Sequence, residues 1–205
     1  GAHVSKNLYD AVPKDECRDT FLPLSFQEKM MANKWLGNKT KGGFYKKVKD
    51  EKGKNVKYAL NWKTMEYAVA QRPKFESISE AKKWADSGVA NSMKVAFNGQ
   101  DAAGDYLREY LCNNFIYSAN RIPEICNTIV EIDNAMKWGY NHQLGPFESW
   151  DAIGVKEAVE VMKKLGKKVP AKIEEMLKKG CKTFYKVDSK GVKSYYDFKK
   201  KGYVK

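Results

Sequence analysis

Histidine and closely spaced cysteines are scarce in this sequence of 205 residues. One of its two histidines is His3, in the leading Gly-Ala-His tripeptide, and none of the four cysteines lies in a CxxC or other metal-ligand spacing. Structural zinc sites need four such ligands, so we predict no metal site. Cys112 and Cys126 fall on an apolar helical pattern, where a free thiol behaves as a small hydrophobic residue. This cysteine usage favours a reducing, cytoplasmic setting.

Long apolar runs are also missing. No uninterrupted run approaches the roughly 20 residues that span a bilayer, so we predict no membrane span and no membrane partner. The N-terminus lacks the basic and apolar regions of a signal peptide, and we interpret residues 1–3 as a cloning scar and exclude them from the prediction of the fold. A content of 42% hydrophobic and 13% aromatic residues supplies a core and excludes global disorder.

The last quarter of the chain contains no arginine but is strongly basic. Residues 155–205 hold sixteen lysines against six acidic residues, which accounts for ten of the net charge of +13. Lysine-rich surfaces attract nucleic acid and other anions, yet arginine is the residue best suited to bidentate phosphate and guanine contacts. A solvated lysine-rich face is therefore the favoured interpretation, and a nucleic-acid site is the alternative.

Two segments, residues 28–58 and 174–195, share an ordered series of short motifs. Each contains in turn Glu-x-Met, a glycine, Lys-Thr, Phe-Tyr-Lys, Asp-x-Lys-Gly and Val-Lys. Both series predict a short helix, a glycine stop and a β-hairpin that turns at Asp-x-Lys-Gly. Chance recurrence explains so many ordered identities poorly, so we predict an internal duplication.

The two copies differ in what precedes them. A long helical region, from about residue 104 to 166, comes before the second copy, whereas only residues 4–26 precede the first. We therefore predict that the chain is a fragment of a longer protein. Residues 4–70 would be the end of a first helical copy with its hairpin, 71–100 a connecting segment, and 101–205 a complete second copy.

The region before the second hairpin shows helical periodicity. Its apolar residues step by three or four from Leu107 to Ile129, which predicts a helix with one buried stripe, and Pro123 should kink or split it. Further helices are predicted at about 80–86, 133–139, 146–154 and 155–165 from their glycine stops, apolar spacing and the proline at position 146. The predicted fold class is all-α, a mainly helical bundle with short β-hairpin appendages.

Three groups of residues resemble one family. Residues 115–124 (FIYSANRIPE) resemble the long helix that opens the C-terminal domain of 3-hydroxyacyl-CoA dehydrogenases. Residues 132–136 (IDNAM), 144–148 (LGPFE) and 151–154 (DAIG) resemble its continuation, and residues 35–45 (WLGNKTKGGFY) resemble the end of the same domain type. The resemblance is ordered and covers most of the chain.

The resemblance implies a multidomain enzyme that oxidises 3-hydroxyacyl-CoA to 3-ketoacyl-CoA with NAD in fatty-acid β-oxidation. In such enzymes a Rossmann domain binds NAD and carries the catalytic histidine–glutamate pair, and helical copies follow it. The implied partners are this Rossmann domain and a first helical copy in the same polypeptide, and the implied substrate is acyl-CoA. Some members continue into an enoyl-CoA hydratase domain.

The chain itself departs from a complete dehydrogenase. It has no GxGxxG after a strand, so we predict no cofactor-binding residue, and NAD would bind elsewhere in the parent enzyme. We also predict no catalytic residue, because the family's base lies in the Rossmann domain and His142 stands in a different motif, where a surface turn suits it better. The isolated chain should be inactive, since hydride transfer needs a held cofactor and a positioned base.

Asn120 is the one candidate substrate-binding residue. It matches the family asparagine that contacts acyl-CoA, and an amide can donate a hydrogen bond to a thioester oxygen. The functional asparagine should belong to the first copy, however, so a structural role is the favoured interpretation. Trp138, Phe147 and Trp150 could form an adenine-stacking site, but their spacing is better explained by helix packing.

The predicted function is thus a domain of a 3-hydroxyacyl-CoA dehydrogenase that supplies scaffold and domain packing. Two other classes compete with it: a basic nucleic-acid-binding module and a purely structural interaction module. The sequence lacks RRM, KH, zinc-finger and helix-turn-helix signatures, which argues against the first.

Overall fold

The polypeptide separates into two units along the sequence. A computed structural model describes residues 2–205, and the chain divides after Pro73, so that the second unit begins at Lys74. The predicted cloning scar, residues 1–3, starts at Gly1, which lies outside the described residues.

The first unit contains two helices followed by a three-stranded sheet. β1 pairs with β2 and β2 with β3, both antiparallel, so the predicted hairpin is present and continues into a third strand that the sequence pattern did not indicate. The elements are α1 (Ala2–Ala11), a 3-10 turn (Arg18–Phe21), α2 (Ser25–Ala32), a 3-10 turn (Asn38–Thr40), β1 (Tyr45–Lys49), β2 (Asn55–Asn61) and β3 (Glu66–Val69).

The second unit is a helical bundle that ends in a second three-stranded sheet. Its strands are again antiparallel and ordered as in the chain. The elements are α3 (Glu76–Lys83), a 3-10 turn (Ala85–Ser87), α4 (Val89–Phe97), α5 (Ala102–Asn120), α6 (Ile129–Tyr140), α7 (Pro146–Ile153), α8 (Val155–Lys164), α9 (Ala171–Lys178), β4 (Tyr185–Val187), β5 (Lys193–Asp197) and β6 (Gly202–Val204). The predicted fold class, a helical bundle with hairpin appendages, is confirmed.

Local signals explain where these helices begin. Asp101 caps α5, because one of its carboxylate oxygens accepts hydrogen bonds from the amides of Ala103 and Gly104 at 3.1 and 3.0 Å. Thr128 and Glu131 form a capping box at the start of α6, which therefore begins four residues before the predicted position. Helix α4 was not predicted; it begins after Gly88, which offers no side-chain cap.

The core of the second unit is built around α7. Phe147 and Trp150 are fully buried, and the ring of Phe115 from α5 stacks on Trp150 with ring centroids 5.0 Å apart. Phe115 and Ala119 of the predicted stripe are buried on α5, but this helix ends at Asn120, so the predicted helix is split near Pro123. The stripe's Ile122 and Ile129 are also buried, in the following turn and at the start of α6. Three predicted inward residues of α8 are also buried: Val155, Val159 and Met162. Trp138 is different: it is 81% exposed on α6, so the expectation that it packs in the bundle is wrong.

The two three-stranded sheets repeat each other in detail. Asp50 accepts hydrogen bonds from the amides two and four residues later, at 3.0 and 2.8 Å, and Asp188 does the same at 2.8 and 2.9 Å. Gly53 and Gly191 then adopt positive φ angles of 74° and 78°, which glycine tolerates best. The predicted Asp-x-Lys-Gly turns are therefore one turn used twice.

Side-chain contacts follow the same correspondence. The hydroxyl of Tyr67 donates to the carbonyl of Gly43, and that of Tyr203 donates to the carbonyl of Thr183, each at 2.5 Å. Lysine ammonium groups lie over the same tyrosines, Lys46 over Tyr67 at 4.0 Å and Lys186 over Tyr203 at 3.8 Å from the ring centroids. Equivalent side-chain contacts in the two sheets support duplication more strongly than sequence identities alone.

Candidate functional site

Asn120, the sequence-predicted substrate-binding residue, is the last residue of α5 and is half-buried. The chain leaves the helix there through a turn that contains a cis bond between Ile122 and Pro123. Next to Asn120, the guanidinium of Arg121 lies 4.5 Å from the ring centroid of Tyr117 and pairs with Glu124 at 2.9 Å. Arg121 and Glu124 thus form an ion pair between residues three positions apart.

The side chain of Lys172, from α9, caps the C-terminal end of α5. Its ammonium group donates to the carbonyl of Ala119 at 2.9 Å and also to the carbonyl of Ile122. Burial lowers the pKa of Lys172, and the neighbouring positive charge of Arg121 lowers it further. A cation at a helix C-terminus satisfies carbonyls that lack partners within the helix, so Asn120 lies beside a junction between α5 and α9.

A second polar centre lies where α6 meets the start of α7. Asp133 of α6 is 1% exposed, and its carboxylate accepts hydrogen bonds from the amides of Phe147 and Glu148 at 2.8 and 3.2 Å. The hydroxyl of Tyr185, from β4, donates to the same carboxylate at 2.7 Å. Asp133 thus acts as the N-terminal cap of a neighbouring helix and holds a strand as well.

Close approach of the two helices depends on Gly145. A Cβ atom at this position would come within 2.4 Å of the backbone and carboxylate carbons of Asp133. The Gly145 amide donates to Glu148 at 3.0 Å, which closes the first turn of α7. Pro146 follows at the first helical position, as predicted.

Asp151 joins α7 to the second sheet. Its two carboxylate oxygens accept hydrogen bonds from the amides of Phe184 and Tyr185 at 2.7 and 2.8 Å. Burial raises the pKa of Asp151 to about 6 despite these bonds, and the nearby Asp133 carboxylate adds to the rise. Burial likewise raises the pKa of Asp133 to about 6, against the lowering effect of the Tyr185 hydroxyl.

A small cleft of about 220 Å³ opens beside this centre, lined by residues that include Asn134, Lys137, Glu148, Tyr185 and Lys193. Glu148 pairs with Lys137 at 2.9 Å and with Lys193 at 3.2 Å. Burial opposes the charge of Glu148, but the Gly145 amide and these two lysines together lower its pKa. Burial raises the pKa of Tyr185, as do the surrounding carboxylates, so its hydroxyl stays protonated and keeps donating to Asp133.

The arrangement is suited to holding elements together. Asp133 receives three hydrogen bonds and Asp151 two, so their oxygens already serve donors of the protein itself. A general base needs an oxygen or nitrogen within reach of a substrate proton. Here the protein's own amides and the Tyr185 hydroxyl lie where a substrate proton would have to approach these carboxylates. We therefore regard the centre as a structural junction.

Asp133 and Asp151 lie within the family motifs, but the sequence alone predicts no role for either residue. One signal was available for Asp133: it lies four residues after the buried Ile129, so an acid stands on the apolar face of α6. Its partners could not be inferred, because Tyr185 lies 52 positions away. His142 lies in the turn after α6 and is exposed, as predicted.

Of the three aromatic residues weighed as an adenine-stacking site, the structure brings two together and separates the third. Phe147 and Trp150 both contact the ring of Phe184, with centroids 4.9 and 5.1 Å apart, and both are fully buried. Trp138 lies exposed on α6. Buried rings in contact with one another leave no face for a base to stack on.

Comparison with known proteins identifies the second unit. Residues 112–199 match the family described as "3-hydroxyacyl-CoA dehydrogenase, C-terminal domain". The matched segment contains Asn120, Asp133, Gly145, Asp151 and Tyr185, and therefore both polar junctions described above.

Curated relatives match almost the whole chain. A "Probable 3-hydroxyacyl-CoA dehydrogenase" of Bacillus subtilis (strain 168) is 39% identical over 196 residues, which is 96% of this chain and 24% of the relative. A "Putative fatty acid oxidation complex trifunctional enzyme" of Rickettsia prowazekii (strain Madrid E) is 26% identical over 196 residues, 95% of this chain and 25% of the relative. The chain thus spans about a quarter of the length of the curated relatives it matches. The chain therefore carries the C-terminal-type helical domain of the 3-hydroxyacyl-CoA dehydrogenase family.

Proposed function

We propose that this chain is the scaffold segment of a longer NAD-dependent enzyme that oxidises 3-hydroxyacyl-CoA to 3-ketoacyl-CoA in fatty-acid β-oxidation. The observation that carries the proposal is the 39% identity with a probable 3-hydroxyacyl-CoA dehydrogenase across 96% of the chain. The relative named as a fatty acid oxidation enzyme supports the same pathway.

The described residues do not fit NAD. Dinucleotide sites of doubly wound folds lie at the carboxyl ends of parallel strands, beside a glycine-rich turn. Within residues 2–205 both sheets are antiparallel and three-stranded. We therefore place the NAD site in a Rossmann domain elsewhere in the parent polypeptide, and the chain's own role in packing against neighbouring domains.

The proposed partners are those that the family resemblance implies, and the length of the relatives leaves room for them. A Rossmann domain, a first helical copy and, in trifunctional members, a hydratase domain would share the polypeptide with this chain. We propose the division into residues 4–70, 71–100 and 101–205, in which residues 71–100 include α3 and α4 of the second unit. No helix in the described part of the chain is long and apolar enough to cross a membrane, and a cytoplasmic location stays a prediction from cysteine usage.

The proposal is tested by purifying the parent polypeptide and this chain separately and following NADH formation with a 3-hydroxyacyl-CoA. We expect turnover by the parent and none by the chain, since the base and cofactor site lie outside it. A parent that folds but does not reduce NAD would overturn the proposal. It would also favour a purely structural module.

Asn120 stays a candidate for substrate contact, and we propose a structural role for it at the end of α5. Its neighbours are engaged in the junction made by Lys172, Arg121 and Glu124. Asn120→Ala in the parent should change kcat/KM less than about tenfold, which corresponds to roughly 1.4 kcal/mol of barrier. A larger loss with an unchanged melting temperature would assign Asn120 to the substrate site.

The nucleic-acid alternative rests on the lysine-rich end of the chain. Several of these lysines already have partners: Lys201 pairs with Glu175 at 2.6 Å, Lys167 with Glu109 at 2.5 Å and Lys193 with Glu148 at 3.2 Å. We expect no submicromolar binding of DNA or RNA in about 150 mM salt. Such binding, weakening steeply with added salt, would revive the alternative.

A further inference from the structure

The first unit carries an exposed aromatic face, which we define by Phe26, Leu36, Phe44 and Trp62. Phe44 is 51% exposed, Trp62 54% and Leu36 66%. The ring of Phe26 lies 6.0 Å from that of Phe44 and 5.7 Å from that of Trp62, so the residues form one cluster. A groove of about 560 Å³, lined mainly by apolar side chains, adjoins Leu36 and Phe44. Exposed apolar patches of this kind mark interaction sites.

The second unit shows what covers the corresponding face there. Phe184 corresponds to Phe44, because the two residues make the same hydrogen bond to the next strand. The carbonyl of Phe184 accepts from the amide of Tyr196 at 2.7 Å, and the carbonyl of Phe44 accepts from the amide of Leu60 at 2.9 Å. Phe184 is fully buried against Phe147 and Trp150 of α7. The same backbone thus carries a buried phenylalanine in one unit and an exposed one in the other.

Polar groups show the same contrast. In the second unit Asp151 accepts from the amides of Phe184 and Tyr185, and Asp133 accepts from the Tyr185 hydroxyl. Tyr45 corresponds to Tyr185 and is 54% exposed. In the part of the chain that the structure describes, no carboxylate accepts from the amides of Phe44 and Tyr45.

A lysine completes the correspondence. Lys193 lies 4.2 Å from the ring centroid of Tyr185 and pairs with Glu148, at the start of α7. Lys57 lies 3.8 Å from the ring centroid of Tyr45 in the same relation, and the described residues supply it with no acidic partner. An occupant of the aromatic face would therefore meet two backbone donors, a tyrosine hydroxyl and an ammonium group.

We infer that the aromatic face docks a second helical body of the α5–α7 type, supplied by the parent polypeptide, which places carboxylates against the Phe44 and Tyr45 amides. The inference rests on the proposed function, because that longer polypeptide provides the body. Curated relatives about four times as long leave ample chain for one. Its acidic residues would stand where Asp151, Asp133 and Glu148 stand in the second unit.

Amide hydrogen exchange tests the docking directly. We expect the peptide that contains Phe44 and Tyr45 to exchange at least about tenfold more slowly in the parent than in this chain. The peptide that contains Phe184 and Tyr185 is the internal control and should exchange equally slowly in both. Equally fast exchange at Phe44 and Tyr45 in both proteins would overturn the inference.

A matched pair of variants gives a second measurement. Phe44→Asp should leave the melting temperature of this chain nearly unchanged but lower that of the parent, whereas Phe184→Asp should lower both or prevent folding. If Phe44→Asp lowers the melting temperature of neither protein, the docking is contradicted. A concentration-dependent dimer of this chain that Phe44→Asp dissolves would assign the face to a second copy instead, and would also overturn the inference.

Different results would contradict the proposed function and the docking inference. If the parent reduces NAD with 3-hydroxyacyl-CoA while Phe44 and Tyr45 remain unprotected, the proposed function stands and the docking inference falls. If the peptide is protected but the parent has no dehydrogenase activity, the docking surface stands and the proposed function falls.

Discussion

Two aspartates illustrate how single residues hold this fold together. Asp133 is buried and Asp151 is half-buried beside the apolar core, and burying an unpaired carboxylate is costly. Both carboxylates are stabilised by hydrogen bonds from backbone amides. These amides lie at the start of a helix or the edge of a strand and have no partner within that element. Their contribution is therefore positional: they determine where α7 begins and where β4 is anchored.

Asp151→Asn should destabilise the chain at pH 7. An asparagine side chain offers one acceptor oxygen, so one of the amides of Phe184 and Tyr185 would be left buried without a partner. The expected loss is roughly 1–3 kcal/mol in the free energy of unfolding, measured by urea titration. Asp86→Asn, in an exposed turn, is the matched control and should change stability little. Equal effects of the two variants would show that the amide contacts contribute nothing.

Asp133 should give the chain a distinctive pH dependence. Its pKa is about 6 in the folded protein, mainly because of burial, against about 4 in an unfolded chain. Between these values the native state binds more protons than the unfolded state, so the free energy of unfolding falls as pH rises from about 4 to about 6.

The Asp133→Asn variant reports mainly on this effect, because both proteins share the other titrating groups and, among them, Asp151 loses only the smaller contribution that the Asp133 carboxylate makes to its raised pKa. We expect the stability of the wild type relative to the variant to decrease by roughly 1–3 kcal/mol across that window. Denaturant unfolding at half-unit intervals measures it. A relative stability that is flat, or that rises with pH, would show that Asp133 titrates at or below its ordinary value.

At the scale of elements, the contact between α6 and α7 depends on a residue without a side chain. A Cβ at Gly145 would stand 2.4 Å from Asp133, whereas one at Gly139, within α6, would meet nothing within 4 Å. Gly145→Ala must push α7 away from its cap and should lower the free energy of unfolding by about 2 kcal/mol or more.

Gly139→Ala is the matched control and should be neutral or stabilising by roughly 0.5–1 kcal/mol, since alanine favours a helix. Thermal unfolding of both variants distinguishes them. If Gly145→Ala melts with or above the wild type, the close contact of α6 and α7 is not a constraint on this fold.

Helices and turns differ in how far the sequence predicts them. Two local patterns predict structure that is observed. One is the apolar spacing of Phe115, Ala119 and Ile122, which are buried, and the other is the pair of Asp-x-Lys-Gly turns. Helix α4 lacks a capping side chain, and the third strand of each sheet depends on pairing with its neighbours, so neither has a strong local signal. The Asp133–Tyr185 contact joins residues far apart in sequence, and only the folded chain shows it.

At the scale of the whole molecule, the chain contains a short helix followed by a three-stranded antiparallel sheet twice. In the second unit Phe147 and Trp150 of α7 cover Phe184. The first unit repeats the turn and the lysine–tyrosine contact, but its Phe44 is half-exposed. A duplicated module built from helices and antiparallel strands suits a role in packing domains together. This segment occupies about a quarter of the length of a dehydrogenase relative.

The most direct test of this scaffold role compares turnover with thermal inactivation in the parent enzyme. In Asp151→Asn we expect kcat with 3-hydroxyacyl-CoA and NAD, measured at a temperature where the variant is fully folded, to stay within about twofold of the wild type. The temperature of half-inactivation should fall by several degrees, in line with the lost hydrogen bond. A kcat at least tenfold lower in the fully folded variant would contradict the account, because this segment would then take part in the chemical step.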